Sequence, residues 1–66
     1  MDHASQALAS LVEVANETGN NKYEVVPFTL GIIPFKNNVN MTVEVGHNFI
    51  GVARWLLNEI DNNLNN

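Results

Sequence analysis

The stretch with most chemistry to offer is Gly46-His47-Asn48-Phe49-Ile50-Gly51, where an alternating apolar segment gives way to a helical repeat. A helix beginning there presents free backbone N–H groups and the positive end of its dipole, which together can hold an anion or phosphate. The spacing of Gly46 and Gly51 is reminiscent of a phosphate loop. Val52-Ala53, however, stand where such a loop carries Lys followed by Ser or Thr. The reading that the residues favour is plainer, with Gly46 as a turn and Gly51 as a close-packing point. His47 has a side chain able to titrate near neutral pH. It would act as a general base only beside a positioned acid, and the nearest in sequence is Glu44. A turn histidine bonded to backbone is the simpler expectation.

Arg54 and Trp55 follow one turn later. On a helical wheel the apolar arc of this segment runs from Val52 through Phe49 to Ile50. Trp55 falls outside it, beyond Glu59 and beside Gly51 and Asn62, and Arg54 lies on the other flank of the polar side. A large aromatic off the stripe is costly to leave in water. Trp and Arg are also the types that recur at binding hot spots. Trp55 can therefore lid the core at a sheet edge, meet a second subunit or a partner, or stack on a planar ligand. Phe35 and Lys36 mark a hairpin tip and give the same kind of choice, between a contact site and a Phe tucked under the sheet end with Lys36 in solvent. The candidate partner- or ligand-binding residues are thus Trp55, Arg54, His47, Asn48, Gly51, Phe35 and Lys36.

Nothing else in the chain assembles catalysis. Ser5 and Ser10 fall in the first helical segment without a base or an oxyanion motif. Asp2, Glu13, Glu17, Glu24, Glu44, Glu59 and Asp61 show no paired spacing that calls for acid–base work. The sequence contains no Cys, which removes disulfides and thiolate zinc sites, and His3 and His47 are far apart. The expectation is a protein that is not an enzyme and carries no metal or cofactor.

The elements that must hold these residues can be read from periodicity. Residues 3–18 form the first helix: Ala4, Ala7, Leu8, Leu11, Val12, Val14 and Ala15 fill an arc of about 160° at about 100° per residue. Asp2 is its N-cap and Gly19 its C′ residue. Tyr23 to about Leu30 reads as a strand, bulged near Pro27, and Ile32 to Phe35 as a second extended piece. Pro27 and Pro34 cannot donate to a ladder and belong on an edge or at a bulge. Lys36-Asn37-Asn38 makes a turn, since Asn tolerates positive φ. Val39 to Val45 alternates as an antiparallel strand and runs through Gly46-His47 into a second helix over 48–63. The fold class is α+β, one small domain over 1–66. Its order is helix, two or three antiparallel strands, helix, with both helices on one face of a small sheet.

Size and charge limit what such a domain does. A chain of 66 residues buries only roughly 60% of its unfolded surface and usually needs a staple or a partner. With disulfides excluded, self-association is the cheapest remedy. The net charge is -4 and Lys plus Arg number three, which argues against nucleic acid as a partner. No apolar run is long enough to span a bilayer, and residues 1–18 lack the basic start of an export signal, so the cytoplasm is the expected compartment.

In size and character the chain resembles the compact, acidic, cysteine-free inhibitors of host proteins that viruses encode. The expectation is a non-catalytic binding protein acting as a homo-oligomer, an inhibitor or adaptor of another protein. The alternative is an oligomeric sponge for a small anionic ligand such as a nucleotide, held where the helix start, Arg54, Trp55 and Lys36 meet between chains.

Overall fold

Asp2 opens the first helix by accepting the Ser5 N–H on its side chain at 2.7 Å, which also holds its carboxyl below the ordinary range. The computed structural model of the protein describes residues 2–65. Helix α1 spans His3–Glu17, strands β1, β2 and β3 span Tyr23–Phe28, Gly31–Lys36 and Val39–Asn40, and helices α2 and α3 span Thr42–Val45 and Phe49–Leu64. The strands form one antiparallel sheet in the order β1-β2-β3. Both long helices lie on one face of it, as their spacing predicts, and their buried side chains Leu8, Ala15, Val52 and Leu56 join Tyr23 of β1 in the core.

The register explains both prolines. Asn37 N–H donates to Lys22 C=O at 2.7 Å, so the pairs Tyr23–Lys36, Val25–Pro34 and Pro27–Ile32 are the non-hydrogen-bonded ones of this ladder. The nitrogens of Pro27 and Pro34 therefore point away from the β1–β2 seam, and neither proline interrupts it. Pro27 faces the free edge of β1 in regular register, without the bulge the sequence suggested. Tyr23, Val25, Pro27, Ile32, Pro34 and Lys36 share the face under the helices; Glu24, Val26, Phe28, Ile33 and Phe35 share the other.

Pro34 also corrects the reading of residues 39–45. The strand expected there stops at Asn40. Met41 N–H donates to Pro34 C=O at 2.8 Å, but Pro34 has no N–H to return, and the ladder ends. Asn40 then accepts the Thr42 N–H on its side chain, and Thr42–Val45 turns into one helical turn. The alternating valines were a misleading cue, since Val43 stands 95% exposed. The first strand also ends earlier than expected. Thr29 and Leu30 form a turn and Gly31 opens β2, so the segments read as one strand and a loose extension are the two arms of a hairpin.

Two other turns follow their residue types. Asn37 and Asn38 have φ of 53° and 67°, the doubly left-handed backbone of a type I′ hairpin. Asn37 Oδ1 further accepts the Lys22 N–H at 2.9 Å. Helix α1 ends at Glu17 with Thr18 as its C-cap, one residue short of the expected bound, and Gly19 does not take the left-handed conformation of a helix terminator. It allows close approach instead, since a Cβ there would lie 3.1 Å from the Asn63 side chain.

Gly31 is the glycine with least tolerance. Its φ is 145°, and a Cβ would meet the His47 carbonyl at 2.2 Å. That same carbonyl accepts the Ile32 N–H and ties the α2–α3 joint to the sheet. Gly31→Ala is expected to lower stability by about 2–3 kcal/mol, through strain and displacement of the joint. Chemical denaturation compared with the wild type measures this.

Candidate functional site

The residues singled out by sequence do not converge on one point within the chain. Asn48 caps α3, its side-chain oxygen accepting the Gly51 N–H at 2.7 Å. Gly51 leaves room for that cap, since a Cβ there would lie 3.1 Å from Asn48 Oδ1 and 3.3 Å from Val45 C=O. The start of α3 is thus taken up by the chain's own side chain and close packing. His47 Nδ1 lies 3.1 Å from Leu30 C=O, and its ring meets Phe28 edge-on with centroids 5.9 Å apart. Phe35 is half-buried on the outer face of the sheet, whereas Lys36, its neighbour, turns under the helices.

Lys36 is not the solvated lysine of the sequence reading. Its Nζ lies 2.6 Å from Glu59 Oε1 and 5.9 Å from the centre of the Tyr23 ring. Tyr23, 1% exposed, donates its hydroxyl to the same Glu59 oxygen at 2.8 Å and accepts from Asn63 Nδ2 at 3.3 Å. Asn63 also donates to Thr18 Oγ1 at 3.3 Å. Trp55 stands edge-on to Tyr23 with centroids 5.7 Å apart, half-buried against the core, so the indole seals one side of this network. Arg54 sits on a different, exposed face of α3.

Sequence reasoning missed Tyr23, Glu59 and Asn63 as a unit. The available signal was their chemistry. A tyrosine predicted inside needs a partner for its hydroxyl, and Glu59 lies at the border of the α3 apolar arc. Burial tends to raise the Glu59 pKa, but the bonds from Lys36 and Tyr23 outweigh it and hold the carboxyl below its ordinary value. The bond to Glu59 holds the Lys36 amine above its own.

Two hollows accompany the network. One, of about 210 Å³, is apolar and lies between α1, the sheet and the start of α3, walled by Leu8, Val25, Pro27, Ile32 and Phe49. The other, of about 370 Å³, is lined by Thr18, Gly19, Asn20, Asn21 and Asn63. Among the described residues no three His, Asp or Glu side chains are grouped to hold a metal ion, and no helix is long and apolar enough to cross a membrane.

Apolar side chains are also exposed on both broad faces. Val26 and Phe28 are exposed on the outer sheet face, with Ile33 and Phe35 half-buried beside them. Ile50, Leu57 and Leu64 are exposed along α3. No family model, curated protein or solved structure matches the chain.

The network's pH window follows from its two shifts. Glu59 ionises more readily in the folded chain, so its contribution is complete above the unfolded carboxyl pKa and is lost as pH falls through the lower folded value. Lys36 holds its proton more tightly when folded, so its contribution stands below the unfolded amine pKa and is lost as pH rises through the raised one. Together the two span from about pH 5 to about pH 10. Glu59→Gln should cost about 1–2 kcal/mol at neutral pH. The gap from wild type should narrow on acidification below pH 4, as read by urea unfolding at both pH values.

Proposed function

We propose that this chain is a non-catalytic binding module that works as a homo-oligomer in the cytoplasm, as an inhibitor or adaptor of another protein. The observation that carries this reading is an imbalance of apolar groups. Among the described residues, nine large hydrophobic side chains are exposed, against five hydrophobic residues in the core. Where such side chains gather on one face, as Val26 and Phe28 do on the sheet and Ile50, Leu57 and Leu64 do on α3, they suit an interaction site.

The molecule is a slab with Cα extents of 35 × 26 × 17 Å, one layer of helices on one layer of sheet. A two-layer slab has a single interior, and apolar residues on either broad outer face have no cover within the chain. The outer sheet face, with Val26, Phe28, Ile33 and Phe35, suits a foreign protein, because aromatic and branched side chains there are fixed by strand pairing before any partner arrives. In support of a non-catalytic role, the reactive side chains are engaged structurally. Ser10 Oγ donates to Gln6 C=O, and the His47 ring lies on Leu30 C=O and Phe28.

Sedimentation velocity at micromolar concentration tests the oligomer. The expected result is a species at a multiple of the 7.3 kDa chain mass. A lone, cooperatively folded protomer over the whole concentration range would overturn the reading.

A further inference from the structure

Helix α3 carries a second pattern that its own fold leaves unused. Ile50, Ala53, Leu57, Ile60 and Leu64 follow one another at alternating steps of three and four residues, the a and d spacing of a helix seam. The core takes a different stripe, Val52 and Leu56. Ala53 and Ile60 reach only its border, and Ile50, Leu57 and Leu64 are 60%, 52% and 67% exposed.

Helix α1 extends this surface. Its Ser5, Leu8 and Ala9 face the hollow over the sheet, and Thr18 at its end meets Asn63 at the end of α3. The two helices therefore run parallel, and Ala7 and Val14 of α1 are exposed rather than part of the core.

Building on the homo-oligomer proposed above, we infer that a second copy of this chain covers the outer face of the α1–α3 layer, with the two α3 helices antiparallel about a two-fold axis near Leu57. Two features favour a second copy over a foreign chain. Ile50 and Leu64 lie seven residues on either side of Leu57, so an antiparallel two-fold pairing sets Ile50 against Leu64 of the partner subunit and Leu57 against its own copy, apolar against apolar along the seam. The rim matches itself in charge as well. Arg54 and Asp61 lie on one edge of the stripe, so an antiparallel approach sets each Arg54 near Asp61 of the partner subunit, whereas a parallel two-fold would place these edges on opposite sides of the seam and leave the pair unmade.

The area is adequate. Sixteen residues of α3 make a face about 24 Å long, and two adjacent helices make it roughly 20 Å wide, or about 500 Å² per copy and 1,000 Å² per pair, where specific interfaces begin. Pairing through the β1 edge is hindered. Asn16 engages both the N–H and the C=O of Tyr23, and Pro27 has no N–H to offer.

The test is sedimentation of the full chain and four sets of variants, each checked for a wild-type circular dichroism spectrum. Leu57→Glu, at an exposed position, is expected to weaken self-association at least a hundredfold, while Val26→Glu on the outer sheet face leaves it unchanged. Arg54→Asp and Asp61→Arg should each weaken it about tenfold, and the double exchange should bring it back to within about threefold of wild type. That recovery cannot come from damage to folding. If Val26→Glu dissociates the oligomer and Leu57→Glu does not, or if the double exchange fails to recover, the face assigned here is wrong while the homo-oligomer stands. A monomeric wild type would remove both.

Discussion

Burying a phenol obliges a small protein to answer its hydroxyl, and much of this chain is arranged around that demand at Tyr23. The ring is closed off on one side by Trp55, and its hydroxyl donates to Glu59. A carboxylate drawn partly out of water then needs a cation, and Lys36 supplies it from the adjacent strand. Lys36 reaches that position because Asn37 and Asn38 turn the chain immediately after it. The same Asn37 binds the Lys22 backbone next to Tyr23, and Asn16 of α1 holds the Tyr23 backbone from the other side. Helix, hairpin and second helix are thus tied at one residue by groups that would each be left wanting if another were lost. In a chain without covalent staples, such mutual dependence specifies one arrangement of the layers more sharply than apolar contact does.

The two prolines do comparable work on the sheet. Both sit where their missing N–H faces outward from the β1–β2 seam, so the hairpin keeps its ladder. At Pro27 the consequence is a free edge with fewer donors. At Pro34 it is a third strand that cannot continue, and the chain leaves the sheet at Met41 for a helical turn.

Much of this was legible in the residues and some was not, for reasons that differ by element. The helices declared themselves through spacing and caps: Asp2 and Asn48 each accept the N–H three residues on. The Asn37-Asn38 turn followed from the tolerance of Asn for positive φ. The strand expected over 39–45 failed because alternation among valines is a local signal, and the decisive fact, the lack of a donor on Pro34, lies in the neighbouring strand. The Gly31 requirement is also non-local, being set by a carbonyl sixteen residues further on. At the candidate site, the wheel places Trp55 off the apolar stripe, whereas the fold packs it against the core beside Tyr23, a neighbour that can be found only once the strand is docked. Lys36 was placed at a tip in solvent because nothing in its local sequence announces Glu59.

The α3 arc carries the lesson furthest. Its apolar residues span a width that sequence alone assigns wholly to the core, yet only the half centred on Val52 and Leu56 is covered. The reason is geometric. A single sheet layer and one neighbouring helix can shield one side of α3, and the remaining side faces out from the slab. A wide apolar arc on a helix in a two-layer fold is therefore more than the core of that fold can cover. Since Asn16 and Pro27 leave few free donors on the β1 edge, and β3 is two residues long, strand addition is a poor means of growth for this molecule. Faces are what it has to offer, and the two broad ones differ in character. The helix face carries Arg54 and Asp61 along one edge of an aliphatic stripe, and the sheet face carries Val26, Phe28, Ile33 and Phe35 beside the Lys22–Glu24 pair. A protein built this way can use one face to reach a stable size and keep the other for a partner.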